Sequence, residues 1–400
     1  MSDAQQAGGV PPPKICMVVG EASGDFLGAE LLVELRERYA DLEAFGVGGP
    51  KMDAVGFDRR YEANDLSVIG LVEVFRNLPR LYRVFRHLVQ SLKSRKPDLL
   101  ITIDLPDFNF MLARRARKMG ITVVHYVSPQ VWAWRSGRVK KIAGWVDHLL
   151  ALFPFEPEIY AESGLPVTFV GHPMVQRVHP SRSVAEIRQD LGLEADQKLV
   201  TLLPGSRLGE ISRLLPVMLE SARKLMQRRD DLRFALGCAD TVDPDTLRVW
   251  IAGYDDLRLQ VRSGQTFDLM AASNAAIIAS GTATLEAALL ETPMVVIYRV
   301  NRVTYEIGRR VIQVPHIALA NIVAGRELVP ERVQQQASPA IITEDIEKIL
   351  DDPEISQRMC AGFREIRERL SPPPERAGHV VAGLLERARN GRLATSSNGG

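Results

Sequence analysis

The sequence predicts an α/β protein built from two doubly wound, Rossmann-like parallel-sheet domains, and three observations carry that expectation. Short runs rich in Val, Ile and Leu recur along the chain, most of them running into a Gly, Pro or Ser turn and then a helical pattern. Such runs are the mark of strands buried on both faces of a parallel sheet. The series begins afresh after a polar stretch over 177–188, and 400 residues is comfortable for two cores of ordinary size.

Taken in order, Ile15-Cys-Met-Val-Val19 is the first strand; it breaks at Gly20 into a helical pattern over 27–39. Strands follow at 44–47, 99–103, 122–127, 149–152 and 167–170, with a helix over 110–119. The second series has strands at 198–203, 233–236, 257–261, 275–279 and 294–298. Helical patterns over 344–370 and 375–389, separated by Ser-Pro-Pro-Pro, close the chain and are expected to cross back onto the first domain. The expected divisions are a lead-in over 1–13, domains over 14–176 and 177–350, terminal helices over 351–390 and a frayed tail over 391–400. In open α/β sheets ligands bind beyond the carboxyl ends of the strands, so the cleft between two facing sheets is the expected active site.

Composition narrows the function. With 50 Lys and Arg against 49 Asp and Glu, the net charge of +1 argues against a nucleic-acid partner, since phosphate neutralisation normally shows as a basic excess. Three cysteines, odd in number and without a CxxC pair, suggest neither a disulfide framework nor zinc; the histidines form no HxxxH or HExxH motif. No metal site is expected, and a reduced cytosolic setting fits best. The start, MSDAQQAGGVPPP, lacks a basic region followed by an apolar run and reads as a lead-in, not a signal peptide. No window approaches the roughly 20 apolar residues of a membrane span.

Five strand-end segments carry candidate chemistry. Gly20-Glu-Ala-Ser-Gly-Asp-Phe-Leu-Gly28 sits where a ligand loop belongs. Its carboxylates Glu21 and Asp25 would repel a pyrophosphate and suit sugar hydroxyls; alternatively it is a tight turn with Asp25 capping the helix. Asp104 and Asp107, in Ile103-Asp-Leu-Pro-Asp-Phe-Asn109, follow a strongly apolar strand, where a carboxylate could take a proton from an attacking hydroxyl. Ser128-Pro-Gln-Val-Trp-Ala-Trp-Arg135 offers Trp132, Trp134 and Arg135 to a sugar, acyl chain or phosphate, or else core tryptophans beside a basic surface. In Leu203-Pro-Gly-Ser-Arg207, Gly205 and Ser206 allow close backbone approach, and Arg207 is suited to a diphosphate. In Ala279-Ser-Gly-Thr-Ala-Thr-Leu-Glu286, Gly281 and Thr282 offer donors to phosphate and Glu286 could accept ribose hydroxyls; position 283 is alanine, so a capping box fails there. Asn321 reads by itself as a turn residue.

The segment over 66–92 is unusually apolar, with Val68, Ile69, Val72, Phe75 and Leu78 interspersed with Arg76, Arg80, Arg83 and Arg86. Such a basic amphipathic segment can lie in a bilayer interface, against the commoner reading of a core-facing helix.

Together these stretches resemble the lipid-A-disaccharide synthase family, bacterial glycosyltransferases of the two-lobed GT-B fold. The matching motifs run in order from about residue 15 to 335: GEASGD (20–25), GVGGPKM (46–52), DLPDFNF (104–110), HYVSPQVWAWR (125–135), PFE (154–156), GHPM (171–174), LPGSRLGEI (203–211), SGTATLEAAL (280–289) and NIVAGRELVPE (321–331). The resemblance implies inverting transfer of 2,3-diacylglucosamine from its UDP adduct to 2,3-diacylglucosamine 1-phosphate, without cofactor or metal. It assigns Asp104 as base with Asp107 as understudy. Gly205, Ser206, Arg207, Gly281, Thr282, Glu286 and Asn321 would hold the donor, and Glu21, Ser23, Asp25, Trp132 and Arg135 the acceptor. The 66–78 segment would dock on the cytoplasmic face of a Gram-negative inner membrane, and a homodimer is left open. A UDP-sugar 2-epimerase of the same fold, or a non-catalytic nucleotide-sugar sensor, is the alternative.

Overall fold

The computed structural model describes residues 11–63, 66, 71–129, 136–239, 242–301, 305–306 and 314–397, with the backbone alone at 71–77, 136, 244 and 392–397. The chain divides into two compact units at His172/Pro173 and again at Ser371/Pro372.

The first unit runs β1 (Lys14–Val19), α1 (Ala22–Arg38), β2 (Glu43–Gly48), α2 (Pro50–Ala54), β3 (Asp58–Glu62), α3 (Leu71–Arg95), β4 (Leu99–Ile103), α4 (Pro106–Arg117), β5 (Thr122–Tyr126), α5 (Val139–Ala143), β6 (His148–Ala151), α6 (Glu156–Tyr160) and β7 (Val167–Phe169). Its sheet has the order β3-β2-β1-β4-β5-β6-β7 and every pairing is parallel. Ile15 to Val19 on β1 and Leu99, Leu100, Ile101 and Ile103 on β4 lose all solvent contact, each such side chain contributing about 1.5–3 kcal/mol. The order reverses between β1 and β4, so the loops after these two strands flank the switch point where such sheets bind ligands.

The second unit runs α7 (Met174–Arg177), α8 (Val184–Asp190), β8 (Lys198–Leu203), α9 (Leu208–Arg228), β9 (Leu232–Cys238), α10 (Pro244–Ile251), β10 (Leu259–Ser263), α11 (Thr266–Ala272), β11 (Ala275–Ala279), α12 (Ala283–Leu289), β12 (Met294–Tyr298), α13 (Leu319–Ala324), β13 (Glu331–Val333), α14 (Pro339–Asp351) and α15 (Pro353–Leu370). Its parallel sheet repeats the plan as β10-β9-β8-β11-β12-β13, with the switch point between β8 and β11. The last helix, α16 (Ala377–Ser397), belongs to the first unit.

Several expectations shift. β3 and β13 were not foreseen, because both are short, charged edge strands without an apolar run. The charges blunt the β3 edge: Arg59 pairs with Asp53 at 2.8 Å, and Arg60 and Arg95 both reach Asp58. The single helix expected over 344–370 is two, broken at Pro353, with Asp352 Oδ1 accepting from Glu354 N at 2.9 Å as the cap of α15. α15 stays with the second unit, against the expectation that 351–390 returns as a whole. It packs on α12, α13 and α14, and Arg369 donates to the Val323 and Ala324 carbonyls at 3.1 Å. Only α16 returns: it packs on α1, with Gly378 N donating to Glu34 Oε2 at 2.7 Å and Arg38 paired with Glu386. Helical backbone also continues to Ser397, beyond the expected end at 390.

Candidate active site

At the first switch point, β1 hands over to Gly20 and Glu21, and β4 to Asp104 and Leu105. The loops touch: a Cβ on Gly20 would lie 2.4 Å from Leu105 Cβ, so only glycine fits without displacing Leu105. Asp104 (φ 56°) and Leu105 (φ 44°) are consecutive left-handed residues, an unfavourable backbone for side-chain-bearing residues. Asp104 N donates to the Tyr126 carbonyl at 3.0 Å, and Asp104 Oδ1 accepts from Leu105 N at 2.8 Å. Partial burial, and then the neighbouring charge of Asp104, raise the Glu21 carboxyl above the usual range. The pair Glu21 and Asp104 is thus brought together, with Ser23 exposed on the first turn of α1.

Asp107 stands apart. Its side chain is 86% exposed in the first turn of α4, 3.5 Å from Arg138, where a carboxylate complements the helix dipole.

Asp25 is corrected from an acceptor contact to a structural carboxylate. It is buried, and its two oxygens accept from Gly49 N (2.8 Å), Lys51 N (3.0 Å) and Met52 N (3.1 Å). It therefore fastens the start of α2 across from its own helix, and does not cap α1. Trp132, Trp134, Arg135, Val68 and Ile69 lie outside the described residues. Val72 and Phe75 fall on the backbone of α3, and Leu78 is 47% exposed. From Val84 onward α3 is core-facing, through Val84, Leu88 and Leu92.

The second switch point opens on a cavity of about 810 Å³. Gly205, Ser206, Gly281, Thr282 and Glu286 all line it. Gly205 (φ 107°) lies two residues beyond β8, and a Cβ there would lie 2.1 Å from Glu210 Oε2. Glu210 lines the same cavity and is not among the residues expected from the sequence. Burial raises its carboxyl, while Arg207 and the Ser206 N–H pull it back. Arg207 precedes α9 as its N-cap residue, exposed and outside the cavity lining, though its charge reaches Glu210 and Tyr298.

Across the cavity, Thr282 makes no side-chain cap to α12, in keeping with the failed capping box. Buried Thr284 ties the loops instead: its hydroxyl donates to the Gly281 carbonyl at 2.8 Å and accepts from Leu319 N at 3.1 Å. Ser280 Oγ donates to the Ile317 carbonyl at 2.8 Å. Burial raises the Glu286 carboxyl, opposed by Arg177. Asn321 is corrected: it is fully buried and spent within the fold. Its Nδ2 donates to the Val329 carbonyl (2.9 Å) and to Glu331 Oε1 (2.8 Å), and its Oδ1 accepts from Leu328 N and Val329 N. Glu331 in turn accepts from Ile317 N and Ala318 N, bracing the loop beside Ser280. No spacing rule distinguishes a turn asparagine of this kind from a ligand contact.

The cavity joins small residues, hydroxyls and the half-buried carboxylates Glu210 and Glu286 at a strand-end switch point. That combination suits a phosphorylated, hydroxyl-bearing ligand. Among the described residues no group of three or more His, Cys, Asp or Glu could hold a metal ion, and no helix is long and apolar enough to cross a membrane.

A family model described as lipid-A-disaccharide synthetase matches residues 15–373. A lipid-A-disaccharide synthase of Geobacter metallireducens is 42% identical over 96% of this chain and 100% of its own length. One from Pseudomonas aeruginosa is 45% identical over 85% and 90%. Among solved structures, a putative UDP-N-acetylglucosamine 2-epimerase from Listeria monocytogenes aligns with a TM-score of 0.60 at 13% identity, covering 96% of this chain and 95% of its own. The calicheamicin glycosyltransferase CalG4 aligns with a TM-score of 0.58 at 16% identity, covering 94% and 99%.

Proposed function

Because the chain belongs to the lipid-A-disaccharide synthetase family, and is a glycosyltransferase of lipid A biosynthesis with a GT-B-like fold, we propose that it joins two acylated glucosamines with inversion. The donor is UDP-2,3-diacylglucosamine and the acceptor 2,3-diacylglucosamine 1-phosphate. Asp104 takes the proton of the acceptor's 6-hydroxyl as the oxygen bonds to the donor's anomeric carbon. The bond from that carbon to the UDP oxygen breaks, and its electron pair leaves with UDP. One displacement converts an α-linked donor to a β-1,6 product and needs a single base.

The observation that carries this reading is the placement of Asp104. It directly follows the fully buried end of β4 at a switch point, beside Glu21, with its Oδ1 held by the Leu105 N–H. The second unit's cavity is the proposed seat of UDP. There Ser206 and the Gly281–Thr282 turn meet the diphosphate, Glu286 the ribose hydroxyls, and Arg207, moving in from the rim, the charge that develops on the leaving group. The acyl chains of both substrates place the work at the inner leaflet. The exposed Leu78 and Tyr82 and the exposed Arg80, Arg83 and Arg86 on α3 suit an anionic bilayer surface.

The test is incubation with both acylated substrates, following UDP release and the anomeric configuration of the disaccharide. Release of UDP with an acceptor-dependent β-linked product is expected. Conversion of the donor without acceptor, or an α-linked product, overturns the proposal.

A further inference from the structure

Asn109 completes the turn at which Asp104 sits, and it has no part in the reading above. It is fully buried in the first turns of α4. Its Nδ2 donates to the Asp104 carbonyl at 2.6 Å and to the Ile103 carbonyl at 3.3 Å. Its backbone N–H donates to the Leu105 carbonyl at 3.0 Å.

The Ile103 and Asp104 carbonyls lie where the chain leaves β4 for the left-handed turn, and buried carbonyls need donors; the Leu105 carbonyl, by contrast, accepts the first bond of the α4 ladder. Two successive left-handed residues cost on the order of 1–3 kcal/mol each and persist only where the surroundings over-determine them. The fold supplies three constraints: Leu105 against Gly20, Asp104 N on the Tyr126 carbonyl, and the Asn109 amide. The third is the one that hydrogen-bonds the turn's own carbonyls through a side chain, and its replacement leaves strand pairing intact. Asn109 Oδ1 is buried without a partner among the described residues, so the side chain is retained there at some cost. An apolar isostere would remove that cost if the donors were dispensable.

We propose that Asn109 is a positioning residue for the transfer: its amide locks the Asp104–Leu105 turn and so fixes the direction of the Asp104 carboxylate. This rests on the assignment of Asp104 as the base. With Leu in place of Asn109 the turn relaxes toward ordinary backbone, and a displacement of the base by about 1 Å costs on the order of 100-fold.

The experiment is a double-mutant cycle of Asn109→Leu and Asp104→Asn on the full chain, with kcat, KM, the pH profile of kcat/KM, UDP affinity and thermal melting read for each. Asn109→Leu is expected to lower kcat about 100-fold, leave the donor KM and UDP affinity unchanged, and move the acid limb of the profile. In the Asp104→Asn background the same substitution is expected to change the residual rate by less than about twofold. Equal losses in both backgrounds make Asn109 a structural residue and overturn the proposal, as does an unchanged kcat. If Asn109→Leu melts below the assay temperature, Asn109→Ser carries the same cycle and the same criteria. Full turnover by Asp104→Asn alone removes the base assignment instead, an outcome separate from any result for Asn109.

Discussion

The two units share one strand order and put it to different ends. At the first switch point the loops are closed on each other: Gly20 abuts Leu105, the backbone is forced left-handed, and Glu21 and Asp104 emerge together. At the second, glycines at 205 and 281 leave a cavity of about 810 Å³ whose walls are tied back by Thr284, Ser280 and Glu331. One arrangement aims a carboxylate and the other keeps a space. The topology dictates where a ligand loop lies, while the residues next to the strand ends decide whether it is a tool or a container.

Asp104→Asn tests the first half of that contrast. It is expected to lower kcat by about 10²–10⁴-fold while UDP still binds, as measured by steady-state kinetics and calorimetry. Retained turnover would move the base elsewhere. Glu286→Gln tests the second half, with an expected weakening of UDP binding by roughly 10–100-fold. The same variant should melt higher at neutral pH. Burial raises the folded-state Glu286 pKa, so its contribution to stability is present below the unfolded value and is lost as pH rises through the folded one. Removing the ionisable group removes that loss, and a lower melting temperature at pH 7 contradicts it.

Asn321→Ala should cost about 1–3 kcal/mol of stability by denaturant unfolding, with the folded protein near wild type in kcat. A selective loss of UDP affinity would restore Asn321 to the ligand. A last test separates the units by acid. Burial lowers His125 to about 3 and His172 to about 4, and also lowers His148; all three lie in the first unit. Stability from such groups is full above the ordinary histidine value and falls as pH drops through it, because only the unfolded chain takes up the protons. Hydrogen exchange at pH 5 against pH 7.5 should therefore show the first unit loosening before the second.

What the sequence made legible follows from how each residue is used. Central strands were readable because burial on both faces demands unbroken apolar runs, as at 99–103 and 275–279. The edge strands 58–62 and 331–333 were not, since an edge pairs on one side only and tolerates charge. Motif position found Asp104, Gly205 and Glu286 at strand ends, but could not tell a carboxylate presented to solvent from one consumed by backbone amides. Asp25 is of the second kind, its oxygens claimed by three backbone N–H groups 24–27 residues away, and the Asn321 amide oxygen is likewise taken by two N–H groups 7 and 8 residues on. The place of Glu210 in the cavity is not legible from its spacing, because it depends on Gly205, whose missing Cβ lets the carboxylate lie over the loop.

The return of α16 has a bearing on how the molecule is made. The second unit is inserted within the first, so on a ribosome β1 to β7 emerge long before the helix that covers α1. Val381 and Leu385, fully buried in the finished protein, reach their places last. The nascent first unit must therefore wait, with one apolar flank bare, while a complete second unit is synthesised behind it. That interval is when a holding chaperone has the most to protect.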